Sequence, residues 1–560
     1  MKASQAKLSK LIGHSEKQFI VPIYQRSYKW TRSNITQYIN DLEEIDLVVP
    51  DQTHFLNSIV YSKVNDNELA SAIGNRLEKY HIIDGQQRLT TTTLYLIAIR
   101  NILQEKDDTK TADRINNQYI VNQYIDDIDE SIRLKLASND LEVFRKLVLN
   151  DKLNKENKKH LIYRNYNDFY KYIKKNEISI YELIEKFENR IDIIDTFLEP
   201  HDNPQKIFSS LNSTGKALKD SDLIKNFILM NLKDSEQVEL YTRFWQEIER
   251  ILNNDEDLLL TFLQHYLTMN LEYVISKGNT YASFEKYFNN KQKSTIYLTV
   301  KSILEDLLEF SKIYHRLFLE KRNFESSQYS LNHLNIESYY PLLLKVEKNN
   351  PDLTEKVANI IENYLVRRII VGLPPGKTKN IFAKIIKNIK NIKSVSLDKD
   401  ILNILKEDQG QGRYPTDTEF SESIFISQLY SNSQRGTKYI LYKIEYYLNT
   451  QNRSMTIPYE SLTIEHILPE TDYKKLPKCW TDNFDMDNFD QYVHTLGNLT
   501  LITQGKNSSL GNECFDNKNN QYANDTFLLT KSLENNKDWT LDSLNDRAKY
   551  LMQIMLKIWK

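Results

Sequence analysis

"HIIDGQQRLTTTTLYLIAIR", residues 81–100, reads as a strand, a tight turn and a helix in immediate succession. A short apolar, β-prone run ends at Asp84, Gly85 permits the turn, Gln86, Gln87 and Arg88 follow, and helical spacing begins at about Leu89. That order makes the N-terminal region α/β. It also aims backbone N–H groups and the positive end of a helix at one point, where an anion can sit. Arg88 can fork onto a phosphate, Gln86 and Gln87 can supply directional hydrogen bonds, and Asp84 can hold a metal or orient water. The plainer alternative is an Asx-type turn that caps the helix, with Arg88 in an ion pair.

Around this stretch, residues 1–100 alternate short β-type runs ("KQFIVPIY", "FLNSIVYSKV", "KYHIID") with helical segments. From about 115 to 445 the apolar residues recur at helical spacing, as in "LLLTFLQHYLTMNLEYVI" and "TKYILYKIEYYLN". With 35 tyrosines and 13 glycines, these helices are expected to pack through large aromatic faces. The Gly- and Pro-containing stretch 406–420 reads as a loop, and the pattern turns mixed again near 446. The expected fold is therefore α+β and predominantly helical, in segments 1–230, 231–445 and 446–560.

Charge is nearly balanced, at 74 Lys plus Arg against 76 Asp plus Glu, so any nucleic-acid surface must be a local patch. Arg367 and Arg368 are candidates for such a patch, or for an ion-paired face. Two cysteines, Cys479 and Cys514, exclude a disulfide framework or a four-cysteine zinc site and read as ordinary thiols of a reducing compartment. No window approaches an apolar membrane span, and the expectation is a soluble, cytoplasmic protein with no membrane partner.

Two further stretches bear on the first. "FIVPIYQRSYKW" (19–30) puts Tyr24, Gln25 and Arg26 just past a β-prone run. "IFSSLNSTGKALKDSDLIKNFIL" (207–229) puts Asn212 in a turn before a helix expected to be capped by Asp220 or Ser221. Singly, each is a strand end or a loop. Together and in this order they resemble the ParB-like N-terminal domain of GmrSD-type, modification-dependent (type IV) restriction enzymes. The resemblance implies a domain that handles a nucleoside triphosphate, GTP or ATP, at Tyr24, Gln25, Arg26, Asp84 to Arg88 and Asn212, coupled to restriction of modified phage or foreign DNA. It leaves room for a homodimer and for partner proteins of a defence operon.

The C-terminal stretches are "TIEHILPE" (463–470) and "HTLGNLTLITQGKNSSLGNECFDNK" (494–518). Alone, His466 is a histidine in a turn before proline. In a ββα-metal fold a histidine at the end of the first strand takes a proton from water, which calls for a pKa near neutral and an open cleft. Glu465 and Asn507 suit oxygen ligands for Mg²⁺ or Mn²⁺, and Asn498 would brace the loop that carries His466. This constellation resembles the HNH nuclease domain that ends GmrSD-like proteins, with Glu465 where many relatives have Asp and Asn507 where others have His. Phe515 is expected in the core, and Lys518 at a phosphate or in solvent. The implied activity is a nucleotide-responsive, metal-dependent DNA endonuclease. The alternatives are a non-cleaving ParB-like regulator that binds DNA, and an RNA-cleaving abortive-infection toxin.

Overall fold

A computed structural model describes residues 1–64, 77–175, 179–199, 201–202, 204, 207, 218–230, 232–320, 330–374, 377–450 and 459–560. The fold is α+β and 64% helical, as expected. Contacts group the chain into two compact units, 1–250 with 288–305, and 251–287 with 306–560.

The first unit is built on a six-stranded mixed sheet. Its strands are β1 (Lys2–Lys7), β2 (Lys17–Ile20), β3 (His54–Lys63), β4 (Glu78–Asp84), β5 (Leu134–Lys135) and β6 (Ile191–Leu198), in the order β1-β6-β3-β4-β2-β5. β4 runs parallel to β2 and antiparallel to β3. β6, "IDIIDTFL", lies in the stretch read as helical, because its short alternation is embedded between helical patterns.

The helix Gln86–Glu105 follows β4 directly, three residues earlier than its apolar spacing suggests. It is buried along most of its length, the environment in which a helix is apolar on every side. Its threonine run tolerates burial because the hydroxyls find partners. Thr91 and Thr92 meet the hydroxyls of Tyr28 and Tyr38 at 2.6 and 3.0 Å, and Thr93 donates to Leu89 O at 2.9 Å.

Among its described residues the second unit is helical apart from one hairpin, β7 (Leu462–His466) antiparallel to β8 (Leu499–Thr503). The helix Gln504–Leu510 follows β8 without a break and completes a strand, strand, helix order. Aromatic rings do pack the helices: Phe318 stacks on Tyr340 at 3.7 Å, and Tyr266 meets Tyr287 edge-on at 5.5 Å. Residues 408–416 form a loop within the expected stretch.

Four sequence readings meet the structure here. The boundary placed near 446 falls inside the helix Gln434–Thr450. Buried Glu445 on that helix accepts the backbone N–H groups of Leu528 and Leu529 at 2.8 and 2.7 Å, so one element serves both sides of the supposed boundary. Arg367 and Arg368 are buried, which sets aside the DNA-facing patch and leaves, for Arg367, the ion-paired alternative. Arg367 pairs with Asp417 at 2.7 Å and donates to Trp559 O, while Arg368 donates to the carbonyls of Arg413 and Pro374. Finally, Cys479 and Cys514 are joined in a disulfide, because the short helix Lys478–Thr481 and the start of the helix Phe515–Tyr522 bring their Cα atoms to 6.0 Å. The helix Asp220–Leu229 begins at Asp220 after Lys219, with no side-chain cap from either residue named for that role.

Candidate functional site

The hairpin end assembles the C-terminal candidates. His466 closes β7 opposite Leu499, and Asn498 immediately precedes β8. Asn498 is fully buried and its amide is used on every side. Nδ2 donates to Leu468 O (2.9 Å) and Val493 O (2.8 Å), and Oδ1 accepts from Leu468 N (2.8 Å) and Trp539 Nε1 (3.2 Å). One side chain thus ties the segment after His466 to the segment before β8.

That tie sets three side chains against one another. His466 Nε2 lies 3.2 Å from His494 Nδ1, so one of the two donates to the other. Glu470 approaches both rings, at 3.7 Å from His466 Nδ1 and 3.8 Å from His494 Nε2. The Tyr430 ring stands edge-on to His466 at 4.5 Å and stacks on His494 at 5.6 Å. Exposure rises outward, from 8% at His466 through 20% at His494 to 48% at Glu470, so the cluster opens to solvent on the Glu470 side.

His466 itself is buried rather than set in an open cleft. Burial lowers its pKa to about 3, with His494 and Lys518 adding to the shift, so the imidazole is neutral at physiological pH but a weaker base than the near-neutral one expected. Glu465 is turned to different partners. Its carboxylate is buried and accepts from Lys518 Nζ at 2.8 Å and the Tyr522 hydroxyl at 2.9 Å. Lys518 also donates to His466 O (2.9 Å) and Ile467 O (3.2 Å), so it reaches neither phosphate nor solvent. Burial pushes Glu465 up and Lys518 down, each opposed by the other's charge. The carboxylate expected to hold a metal is thus engaged by Lys518 and Tyr522 in this structure. Asn507 Nδ2 donates to Ile464 O at 2.9 Å and locks its helix to β7. Phe515 is in the core, stacked on Trp539 at 5.4 Å.

Sequence reasoning passed over Glu470 and His494. Both stood at the ends of the quoted stretches, Glu470 four residues after His466 and His494 four before Asn498. A histidine and a carboxylate flanking the same two motifs was the available signal.

In the first unit the structure brings Gln25 and Arg26 against the turn at Gly85. Gly85 has φ +101°, and a Cβ there would come within 2.5 Å of Ile59 Cδ1, so only glycine fits. The amides are spent on main chain. Gln25 Nε2 donates to Ile82 O and Ile83 O (3.0 and 2.9 Å), Gln86 Nε2 to Arg26 O (3.1 Å), and Gln87 Oε1 accepts from Lys29 N (2.8 Å). Arg88 Nη2 pairs with Asp84 at 2.7 Å, and Arg88 Nε is buried with no partner among the described residues. Tyr24 is 2% exposed, so its ring packs in protein and is not open to a nucleotide in this structure. Asn212 lies outside the described residues.

Comparison with known families returns two matches in chain order. Residues 8–229 match the model of the "GmrSD restriction endonuclease, N-terminal domain". Residues 414–554 match that of the "GmrSD restriction endonucleases, C-terminal domain". No curated protein matches the chain.

Proposed function

Because the chain belongs to the GmrSD restriction endonuclease family, we propose that it cuts DNA at the hairpin end around His466, in response to a nucleoside triphosphate and a modification on foreign DNA. The observation that carries this reading is the cluster of His466, His494 and Glu470 on a strand, strand, helix frame within the C-terminal match. Phosphodiester hydrolysis needs an acceptor for the proton of water, positive charge at the phosphate, and a rigid frame. The frame is Asn498 with the Glu465–Lys518 pair, which holds the carbonyls of His466 and Ile467. The proton acceptor is His466, whose burial keeps its imidazole neutral, with His494 and Glu470 beside it. Mg²⁺ or Mn²⁺ bound at this end would supply the positive charge.

The nucleotide part of the reading rests on the turn at Gly85, where a helix of 20 residues starts beside Arg88. A phosphate there would meet the free N–H groups of the first helical turn and compete with Asp84 for Arg88. The test is cleavage of matched modified and unmodified duplexes, and of a structured RNA, by the full chain with each nucleoside triphosphate. His466→Ala should lose cleavage by about 10²- to 10⁴-fold with its far-UV circular dichroism unchanged. Cleavage at the wild-type rate would remove the site assignment, and cutting confined to RNA would select the toxin alternative. Arg88→Ala should weaken nucleotide binding, measured by calorimetry. Unchanged binding would return the turn to a purely structural role.

A further inference from the structure

We propose that a cavity in the helical middle of the chain binds a phosphate monoester carried on a hydroxylated body, the chemistry shared by a nucleoside monophosphate and a sugar phosphate. The cavity measures about 790 Å³ and lies wholly within the second unit, between the helix Glu256–Leu271, the segment 274–277, the segment 335–341 and the start of the helix Thr378–Asn388. Small-molecule sites occupy about 300–1,000 Å³. All of the lining falls between the two stretches that match the family, 8–229 and 414–554, so neither the turn at Gly85 nor the hairpin end contributes to it.

The charge of the lining selects an anion. Lys277 and Lys379 border the cavity, and among the described residues neither has a carboxylate within ion-pair distance. Glu337 is the one carboxylate of the lining. A phosphate monoester carries about −1.5 to −2 charges at pH 7 and so answers both lysines, whereas a single carboxylate answers one. Deeper in, two side chains keep an atom unused. Gln264 is 9% exposed and donates Nε2 to Thr280 Oγ1 at 3.1 Å, and its Oε1 has no partner among the described residues. His265 meets the Tyr314 hydroxyl through Nδ1 at 3.3 Å, and its Nε2 is likewise without a partner among the described residues. An amide oxygen and a neutral imidazole nitrogen suit the hydroxyl groups of the ligand's body, and Ile275, Ile336 and Pro341 give that body an apolar wall. The walls are tied together without a ligand. Thr268 Oγ1 accepts from Ile275 N at 3.3 Å, and the hydroxyls of Ser338 and Thr378 meet at 2.6 Å, so less ordering is left for binding to impose.

The site does not rest on the nuclease reading. The test titrates the full chain by calorimetry with adenosine monophosphate, ribose phosphate and adenosine, in wild type and in Arg88→Ala, which lacks the arginine of the turn at Gly85. At least one of the two phosphate esters should bind at one site per chain in Arg88→Ala and raise its melting temperature. Lys277→Gln and Lys379→Gln should each weaken that binding by about 10-fold or more, and adenosine should be weaker than its monophosphate by at least about as much. Both lysines are exposed, so the ligand-free melting temperature should stay at the wild-type value. Binding of adenosine monophosphate alone identifies a nucleotide site, and binding of both esters a site for the sugar phosphate. The proposal is overturned if neither ester binds at millimolar concentration, if binding disappears in Arg88→Ala, if both lysine variants bind as wild type does, or if adenosine binds as tightly as its monophosphate. A chain that binds the ester but cuts no DNA under any condition keeps this site and removes the nuclease reading, and a chain that cuts DNA without binding either ester does the reverse.

Discussion

Glu465 and Lys518 show how one side chain can be read for chemistry and turn out to be architecture. Removing one partner of a buried ion pair leaves the other charge uncompensated, at a cost of about 3–5 kcal/mol. Lys518→Ala should therefore lower the denaturant midpoint markedly, and a double replacement by apolar residues of similar volume should recover much of the loss. A Lys518→Ala variant as stable as wild type would show that the pair does not form. His265 gives a second residue-scale prediction. Burial, with Lys379 adding to it, lowers its pKa from 6.5 to about 3. A depressed folded-state value means that its stability contribution is complete above pH 6.5 and is lost as pH falls toward 3. The loss is at most about 1.4 kcal/mol per pH unit. His265→Gln should flatten the acid side of a melting-temperature profile recorded in EDTA, and an unchanged slope would contradict the assignment.

At the scale of elements, the hairpin depends on two ties that join segments distant in sequence. Asn498→Ala removes four hydrogen bonds from a fully buried site, and each orphaned partner costs about 1–3 kcal/mol. The variant should lose cleavage and unfold at lower denaturant together, which distinguishes it from His466→Ala, where only activity should fall. The disulfide is the other tie. It closes a loop with a sequence separation of 35, for which the chain-entropy estimate is about 4 kcal/mol. Reductant should lower the melting temperature of the oxidised protein, and peptide mapping without reductant should recover Cys479 linked to Cys514. A melting temperature indifferent to reductant would mean that the bond is not formed in solution.

For the whole molecule, the helices after residue 306 and the hairpin share one unit, and this changes what a fragment should do. Glu445 receives Leu528 and Leu529, Glu362 accepts from Trp559 Nε1 at 2.9 Å, and Arg367 donates to Trp559 O. A fragment starting near 446 loses all three receptors and exposes the surfaces they serve. It should lack a cooperative unfolding transition. A sharp, reversible melt of residues 446–560 would show that this segment folds alone. Among the described residues no helix is long and apolar enough to cross a membrane.

Period and turn chemistry are local, so they were legible in the sequence: the strand before Gly85, the buried helix after it, the "NLTLI" strand and the helical spacing of the middle. The order of the three N-terminal motifs and of His466, Asn498 and Asn507 was equally legible, and it carried the family. Partner choice for a polar side chain is not local. Whether Glu465 faces an ion or Lys518 depends on a helix more than fifty residues away. Arg367 and Arg368 carry the same letters on a solvated face as in a core, and only packing places them against carbonyls and Asp417. Two cysteines at a separation of 35 become a bond only when two helices set their Cα atoms 6.0 Å apart. The cluster of His466, Glu470 and His494 exists for the same reason: a buried asparagine folds two loops together, and long-range burial, which no residue spacing encodes, decides which donors face one another.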